Sequence, residues 1–348
     1  MSDDPAADEV IVRVEGGVGR LTLNRPGALH ALTTGMCRTL TGALLAWETD
    51  PAVTAVLLDH SGARGFCAGG DIRMLAESGA ADGAQARDFF FTEYRLNALL
   101  MRYAKPTIAL MDGVVMGGGV GLALPCRVRV ATERTTFAMP ETGIGLFPDV
   151  GGGWHLPRLP GKTGLWLALT GARIKGADCL ALGVATHFVE SARIEDLKAA
   201  LLAGDPAAAD RFAADPGPAP LGPHRAEIDR LFGADSVEAI CAALAAEGGE
   251  WAAAQLKTLR TKSPQTLKVA FRQLALGAAA ESFEANMQME YRIGARVVAR
   301  HDFLEGVRAV IIDKDQAPKW SPDTLEGVTE VMLDEIFAPL DEEWSGLS

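Results

Sequence analysis

A chain of 348 residues, 48% of them hydrophobic, is long enough to bury a full core, which excludes a disordered or fibrous protein. Its formal net charge is −12 with the basic residues scattered, so its field repels nucleic acid and anionic membranes, and neither is expected as a partner. Five widely spaced cysteines (Cys37, Cys67, Cys126, Cys179 and Cys241), odd in number and without a CxxC pair, point to reduced thiols and exclude a disulfide framework or a zinc site.

The acidic start, from Met1 to Glu9, has no basic segment followed by an apolar one, and no later stretch is long and apolar enough to span a bilayer; a cytoplasmic protein is expected. Two strands are predicted over 9–14 and 18–24, joined at Gly16-Gly17 as a hairpin. Met36, Leu40, Leu44, Leu45 and Trp47 recur near helical spacing, which predicts a helix over 33–49 that Thr33 or Thr34 caps and Asp50-Pro51 ends. The apolar run 53–59 reads as a strand covered on both faces. A helix over 85–103 leads through Lys105-Pro106 into a second such strand over 107–111.

Alternation of strand, helix and strand favours a layered α/β fold for this half. Beyond Val189 helical patterns dominate, over 194–202, 237–246, 251–261 and 282–300, and the Ala-, Asp-, Gly- and Pro-rich stretch 204–223 reads as an exposed connection. The expected organisation is a core over 1–200 and a mainly helical region over 201–348.

Three glycine-rich turns sit where the strand-like runs end, around Gly69-Gly70, Gly117-Gly118-Gly119 and Gly151-Gly152-Gly153. Each permits backbone conformations and close approach that a Cβ forbids. Helices starting at Gly70 and Gly118 would aim free N–H groups outward, and two such groups converging on a carbonyl oxygen make an oxyanion hole, worth about 100- to 1,000-fold in rate per donor. Turns and close helix packing are the plainer explanation for the same glycines. Other readings fail. Gly161-Lys162-Thr163 has Leu156 where a phosphate loop needs glycine, no serine has the GxSxG context, and the histidines lack metal-ligand spacing, so no metal is expected.

Carboxylates remain for proton chemistry. Glu141 follows Met139-Pro140, Asp149 follows Phe147-Pro148, and the stretch between them is too apolar for a solvated face. Carboxylates in such surroundings have raised pKa values and divide acid and base roles around one substrate, although helix capping also explains either residue.

At these residues the sequence resembles the crotonase superfamily. Asn24-Arg25-Pro26 and the stretches 65–72, 105–124 and 137–159 match its landmarks in order, and the likeness runs from about residue 9 to 320. The run 139–154, Leu169-Thr170-Gly171, 185–189 and 313–320 are similar to the 3-hydroxyisobutyryl-CoA hydrolase branch. The resemblance implies a spiral of ββα units with a helical C-terminal region. It further implies that the Gly70 and Gly118 N–H groups bind the thioester oxygen, that Glu141 is the principal catalytic carboxylate assisted by Asp149, and that Glu93 contacts the acyl end. From the sequence alone Glu93 is only a charge on a long helix.

Two departures matter. Where a typical hydratase carries its second glutamate this chain has Gly121, and where hydratases usually have glycine it has Asp149, which shifts the expectation from hydration to thioester hydrolysis. His30 stands where asparagine is commoner. The implied substrate is a short 3-hydroxyacyl-CoA, foremost 3-hydroxyisobutyryl-CoA with 3-hydroxypropionyl-CoA second, hence a step of valine degradation. The resemblance implies no cofactor besides the coenzyme A of the substrate, and a possible homo-oligomer. The alternatives are an enoyl-CoA hydratase or isomerase using Glu141 alone, and a non-catalytic acyl-CoA-binding module. Phe89, Phe90, Phe91 and Trp154 are the expected apolar wall of the acyl pocket.

Overall fold

The computed structural model describes residues 9–205 and 207–347, so the acidic start that underlay the cytoplasmic expectation lies mostly outside the described residues. Two sheets share the strands β1 (Val10–Glu15), β2 (Val18–Leu23), β3 (Ala55–His60), β4 (Gly65–Cys67), β5 (Thr107–Met111), β6 (Val114–Met116), β7 (Val128–Ala131), β8 (Thr136–Ala138), β9 (Ile174–Lys175) and β10 (His187–Phe188). The larger has the order β1-β2-β3-β5-β7-β10, parallel from β2 onward, and the smaller has the order β4-β6-β8-β9. Successive pairs β3 and β4, β5 and β6, β7 and β8 each give one strand to each sheet, and helices α1 (Thr34–Glu48), α2 (Ile72–Gly79), α3 (Ala84–Arg102) and α4 (Gly118–Ala123) intervene. This is the ββα spiral that the resemblance implied, an α/β fold.

The local causes are legible. Gly16 and Gly17 turn the first hairpin with φ of 56° and 81°, a region closed to most side chains. The Thr33 hydroxyl caps α1 by accepting from Met36 N–H at 3.1 Å, and Met36, Leu40, Leu44 and Trp47 bury one stripe of that helix. All five residues of β5 are buried, as expected of a parallel strand paired on both edges and covered on both faces.

One expectation needs correction. The second helix begins at Ile72 and not at Gly70, because the Asp71 side chain accepts from Met74 N–H and caps it there. Gly70 is left extended, bridged to Leu32: Leu32 N–H donates to the Gly69 carbonyl and Asp71 N–H to the Leu32 carbonyl, and the N–H of Gly70 is not used in the bridge.

The C-terminal helices include Ile194–Leu202, Val237–Glu247, Glu250–Leu259, Pro264–Ala278 and Phe283–Val297, and the last packs along α3. The Ser236, Ser263 and Ser282 side chains cap three of them by accepting from Ala239, Thr266 and Ala285 N–H. The helix from Pro264 was not expected, although Ser263-Pro264 is a start signal in its own right. One apolar cluster runs from Val10 in β1 to Trp344 near the C-terminus, so the helical region shares the core of the spiral. Among the described residues no helix is long and apolar enough to cross a membrane.

Candidate active site

The two glycine turns at the ends of β4 and β6 lie against each other and together line a cavity of about 390 Å³, Gly69 and Gly70 coming from one turn and Gly117 and Gly118 from the other. Gly118 is the first residue of α4, where an N–H has no partner inside the helix. Contact favours glycine at Gly118 and conformation favours it at Gly117. A Cβ on Gly118 would lie 2.5 Å from Glu93 Oε1 and 3.0 Å from Leu32 Cδ1, and Gly117 has φ of 48°. Gly70 presents its open backbone to the same cavity, under the ring of Phe89.

Glu93, Glu141 and Asp149 line that cavity with exposures of 1%, 5% and 5%. Glu93 comes from the middle of α3, where it joins the buried face with Phe89, Phe90, Tyr94 and Asn97, so it does not lie on a solvated face. Glu141 opens a short 3₁₀ turn, Glu141–Ile144, after Pro140. Asp149 ends the apolar stretch that follows, and its Oδ2 accepts from the Tyr94 hydroxyl at 2.9 Å.

Oε1 of Glu93 and Oε2 of Glu141 are fully buried and accept no hydrogen bond from any described residue. Burial is the main cause of the raised pKa of all three acids. The charge of Asp149 pushes Glu93 and Glu141 up further, while the ammonium of Lys262 pulls Glu141 back. Asp149 is pushed up to about 7, moderated by the Tyr94 hydroxyl. Unpaired buried acceptors beside two backbone donors form a site whose polar groups are left for a ligand to satisfy.

The structure thus brings Gly70, Gly118, Glu93, Glu141 and Asp149 together at one cavity. Phe89 and Phe90 line it as expected, but Phe91 and Trp154 do not: Phe91 lies against Arg95 and Tyr291, and Trp154 against Arg158 and Phe283. Sequence reasoning missed Arg173 and Lys262, two cations on the cavity wall, and the wall built by Val310, Ile311, Gln316 and Pro318. Isolated basic residues carry no signal of their own, whereas Gln316 and Pro318 lie in a stretch already singled out by resemblance.

The two departures have visible causes. A Cβ on Gly121 would meet Val150 Cβ at 2.6 Å and Asn97 Nδ2 at 2.8 Å, so the position has no room for a glutamate. His30 is a buried brace, accepting from Arg25 N–H at Nδ1 (2.9 Å) and facing the Ser61 carbonyl at Nε2 (2.9 Å), which fixes the neutral tautomer with its proton on Nε2.

The profile of the enoyl-CoA hydratase/isomerase family matches residues 18–337. The chain is 48% identical to the mitochondrial 3-hydroxyisobutyryl-CoA hydrolase of Danio rerio, covering 98% of this chain and 92% of the relative. It is 44% identical to the enzyme of that name from Homo sapiens, over 96% and 90% of the two chains. Among solved structures it resembles a carnitinyl-CoA dehydratase from Mycobacterium thermoresistibile (TM-score 0.94, 46% identity, 97% and 98% coverage). An enoyl-CoA hydratase from Rhodobacter sphaeroides is also similar (TM-score 0.89, 42% identity, 97% and 99% coverage). The expected cytoplasmic location is corrected by these comparisons, because the hydrolase relatives are named as mitochondrial.

Proposed function

Because this chain belongs to the enoyl-CoA hydratase/isomerase family, we propose that its cavity hydrolyses the thioester of a short 3-hydroxyacyl-CoA, foremost 3-hydroxyisobutyryl-CoA, to the hydroxy acid and free coenzyme A. The similar solved structures bear dehydratase and hydratase names, so overall likeness does not choose the reaction. The observation that carries the choice is local: Asp149 and Glu141 line one cavity, while the space beside Gly121 is closed by Val150 and Asn97.

In this reading the N–H groups of Gly70 and Gly118 bind the thioester oxygen and stabilise the oxyanion that develops on it. Glu141 acts at the carbonyl carbon by one of two routes. Either its carboxylate attacks, the C–S bond breaks with coenzyme A leaving as thiolate, and water then hydrolyses the mixed anhydride, or it takes a proton from the water that attacks directly. Glu93 and Asp149 contact the acyl end, Asp149 binding the substrate hydroxyl or placing the water. Lys262 keeps Glu141 closer to the ionised form that both routes need. Residues 1–200 serve as the acyl-CoA-binding core, and 201–348 close it through the wall at Val310 and Pro318. No step calls for a metal or redox cofactor.

The test follows thiol release from 3-hydroxyisobutyryl-CoA beside loss of enoyl absorbance from crotonyl-CoA, for the unmodified chain and Glu141→Gln. Thiol release that collapses in the variant supports hydrolysis; enoyl loss without thiol release makes the chain a hydratase; silence in both assays favours a binding module. Labelled solvent oxygen in Glu141 after one turnover marks the anhydride route.

A further inference from the structure

Glu290 is a fully buried carboxylate on the helix Phe283–Val297, outside the cavity, and it takes no part in the chemistry above. Its two oxygens are spent on the loop that follows Asp149. Oε2 accepts from Gly151 N–H at 2.8 Å and Oε1 from Gly153 N–H at 2.8 Å. Oε1 also accepts from Asn286 Nδ2 at 2.9 Å and from Gln273 Nε2 at 3.1 Å. Gln273 Nε2 in turn donates to the Pro148 carbonyl at 2.7 Å. Backbone groups at 148, 151 and 153 are therefore tied to one buried polar cluster, and Asp149 lies between the ties.

The loop needs such a restraint. Val150 has φ of 50°, a left-handed conformation that a β-branched residue rarely adopts, and Gly151 follows with φ of 90°. The turn that they make leaves the N–H groups of Gly151 and Gly153 directed at the Glu290 carboxylate, a charged acceptor that suits both. The fit leaves no slack: a Cβ on Gly153 would lie 2.5 Å from Asn286 Oδ1 and 3.0 Å from Glu290 Oε1. The side chain of Asp149 is meanwhile held from the opposite element, by Tyr94 of α3.

We propose that Glu290, with Gln273, is a positioning residue that fixes the carboxylate of Asp149 toward the acyl group by clamping the backbone on both sides of it. The proposal rests on the catalytic reading of Asp149 given above. A residue that acts only through Asp149 loses its effect when Asp149 is already disabled, whereas a residue that merely supports the fold does not. A misplacement of a catalytic group by about 1 Å is enough to cost on the order of 100-fold in rate.

The experiment is a double-mutant cycle on thiol release from 3-hydroxyisobutyryl-CoA with Glu290→Gln, Asp149→Asn and the pair. Glu290→Gln is expected to lower kcat about tenfold or more with KM within about threefold of the unmodified chain, and to add no further loss in the Asp149→Asn background. Unchanged kcat in folded Glu290→Gln, or losses that multiply in the pair, would overturn the proposal. If Glu290→Gln does not fold, Gln273→Met is tested in the same cycle, since it removes the tie to Pro148 and keeps the Glu290 bonds to Gly151 and Gly153. Asp149→Asn with full activity would instead remove the catalytic reading of Asp149, and the clamp with it.

Discussion

A methyl group on Gly118 would lie 2.5 Å from Oε1 of Glu93, so α3 presses a buried carboxylate against the first residue of α4. On the proposed reading one position serves two demands, an N–H for the thioester oxygen and room for the acid beside it. Gly118→Ala is expected to shift both and lower kcat/KM for thiol release by about 100-fold, the cost of one oxyanion donor, with the fold retained by circular dichroism. Activity within a factor of about three would show that Gly118 does not supply that donor.

Lys262 and Glu141 form the charge relationship to probe next. The ammonium lowers the Glu141 pKa, while burial and Asp149 raise it well above its ordinary value. Both routes need Glu141 ionised, so kcat/KM should fall on the acid side with a midpoint above the ordinary glutamate range of about 4.3. Lys262→Met takes away the cation, raises Glu141 further, and moves that limb to higher pH. A limb that stays in place in the variant would show that the cation does not act on Glu141.

Glu93 makes a prediction about stability. Its pKa is raised in the folded chain, by burial first and by Asp149 second. The folded state therefore holds the proton to higher pH than the unfolded one. That contribution is present in full below the unfolded value near 4.5 and is lost as pH rises through the folded value. Glu93→Gln should raise Tm at pH 8 by on the order of 2 °C or more, and by less at pH 5. Equal changes in Tm at both pH values would mean that the carboxyl is not a source of electrostatic strain.

The first half of the fold was legible because its signals are local. Thr33 and Asp50-Pro51 bracket α1, and the run Ile108 to Met111 of β5 announces a strand covered on both faces. The strands β4 and β6 were not separable from the glycine turns they adjoin, and β8 gave no signal either, because three residues carry no periodicity. Glu141 and Asp149 stood out by their apolar surroundings, whereas Glu93 needed resemblance, since Glu93 and exposed Asp88 look alike as charges on one helix. Lys262, Arg173 and Glu290 were invisible for a different reason: each acts across long sequence separations, Glu290 reaching Gly151 over 139 positions.

Gly121 offers the test that separates hydrolase from hydratase by design. If absence of a second glutamate were the sole barrier to hydration, Gly121→Glu would restore it. The structure predicts otherwise. The new Cβ would lie 2.6 Å from Val150 Cβ and 2.8 Å from Asn97 Nδ2, and Val150 follows Asp149 directly. The variant must therefore push the loop that carries Asp149, and it places another acid near three that burial already disfavours as anions. The expected outcome is a loss of stability of about 3 kcal/mol or more by denaturant unfolding, reduced thiol release, and no gain in hydration of crotonyl-CoA. A folded Gly121→Glu chain that hydrates crotonyl-CoA would show that the closed space opens at small cost, and that the choice of reaction rests on Asp149 alone.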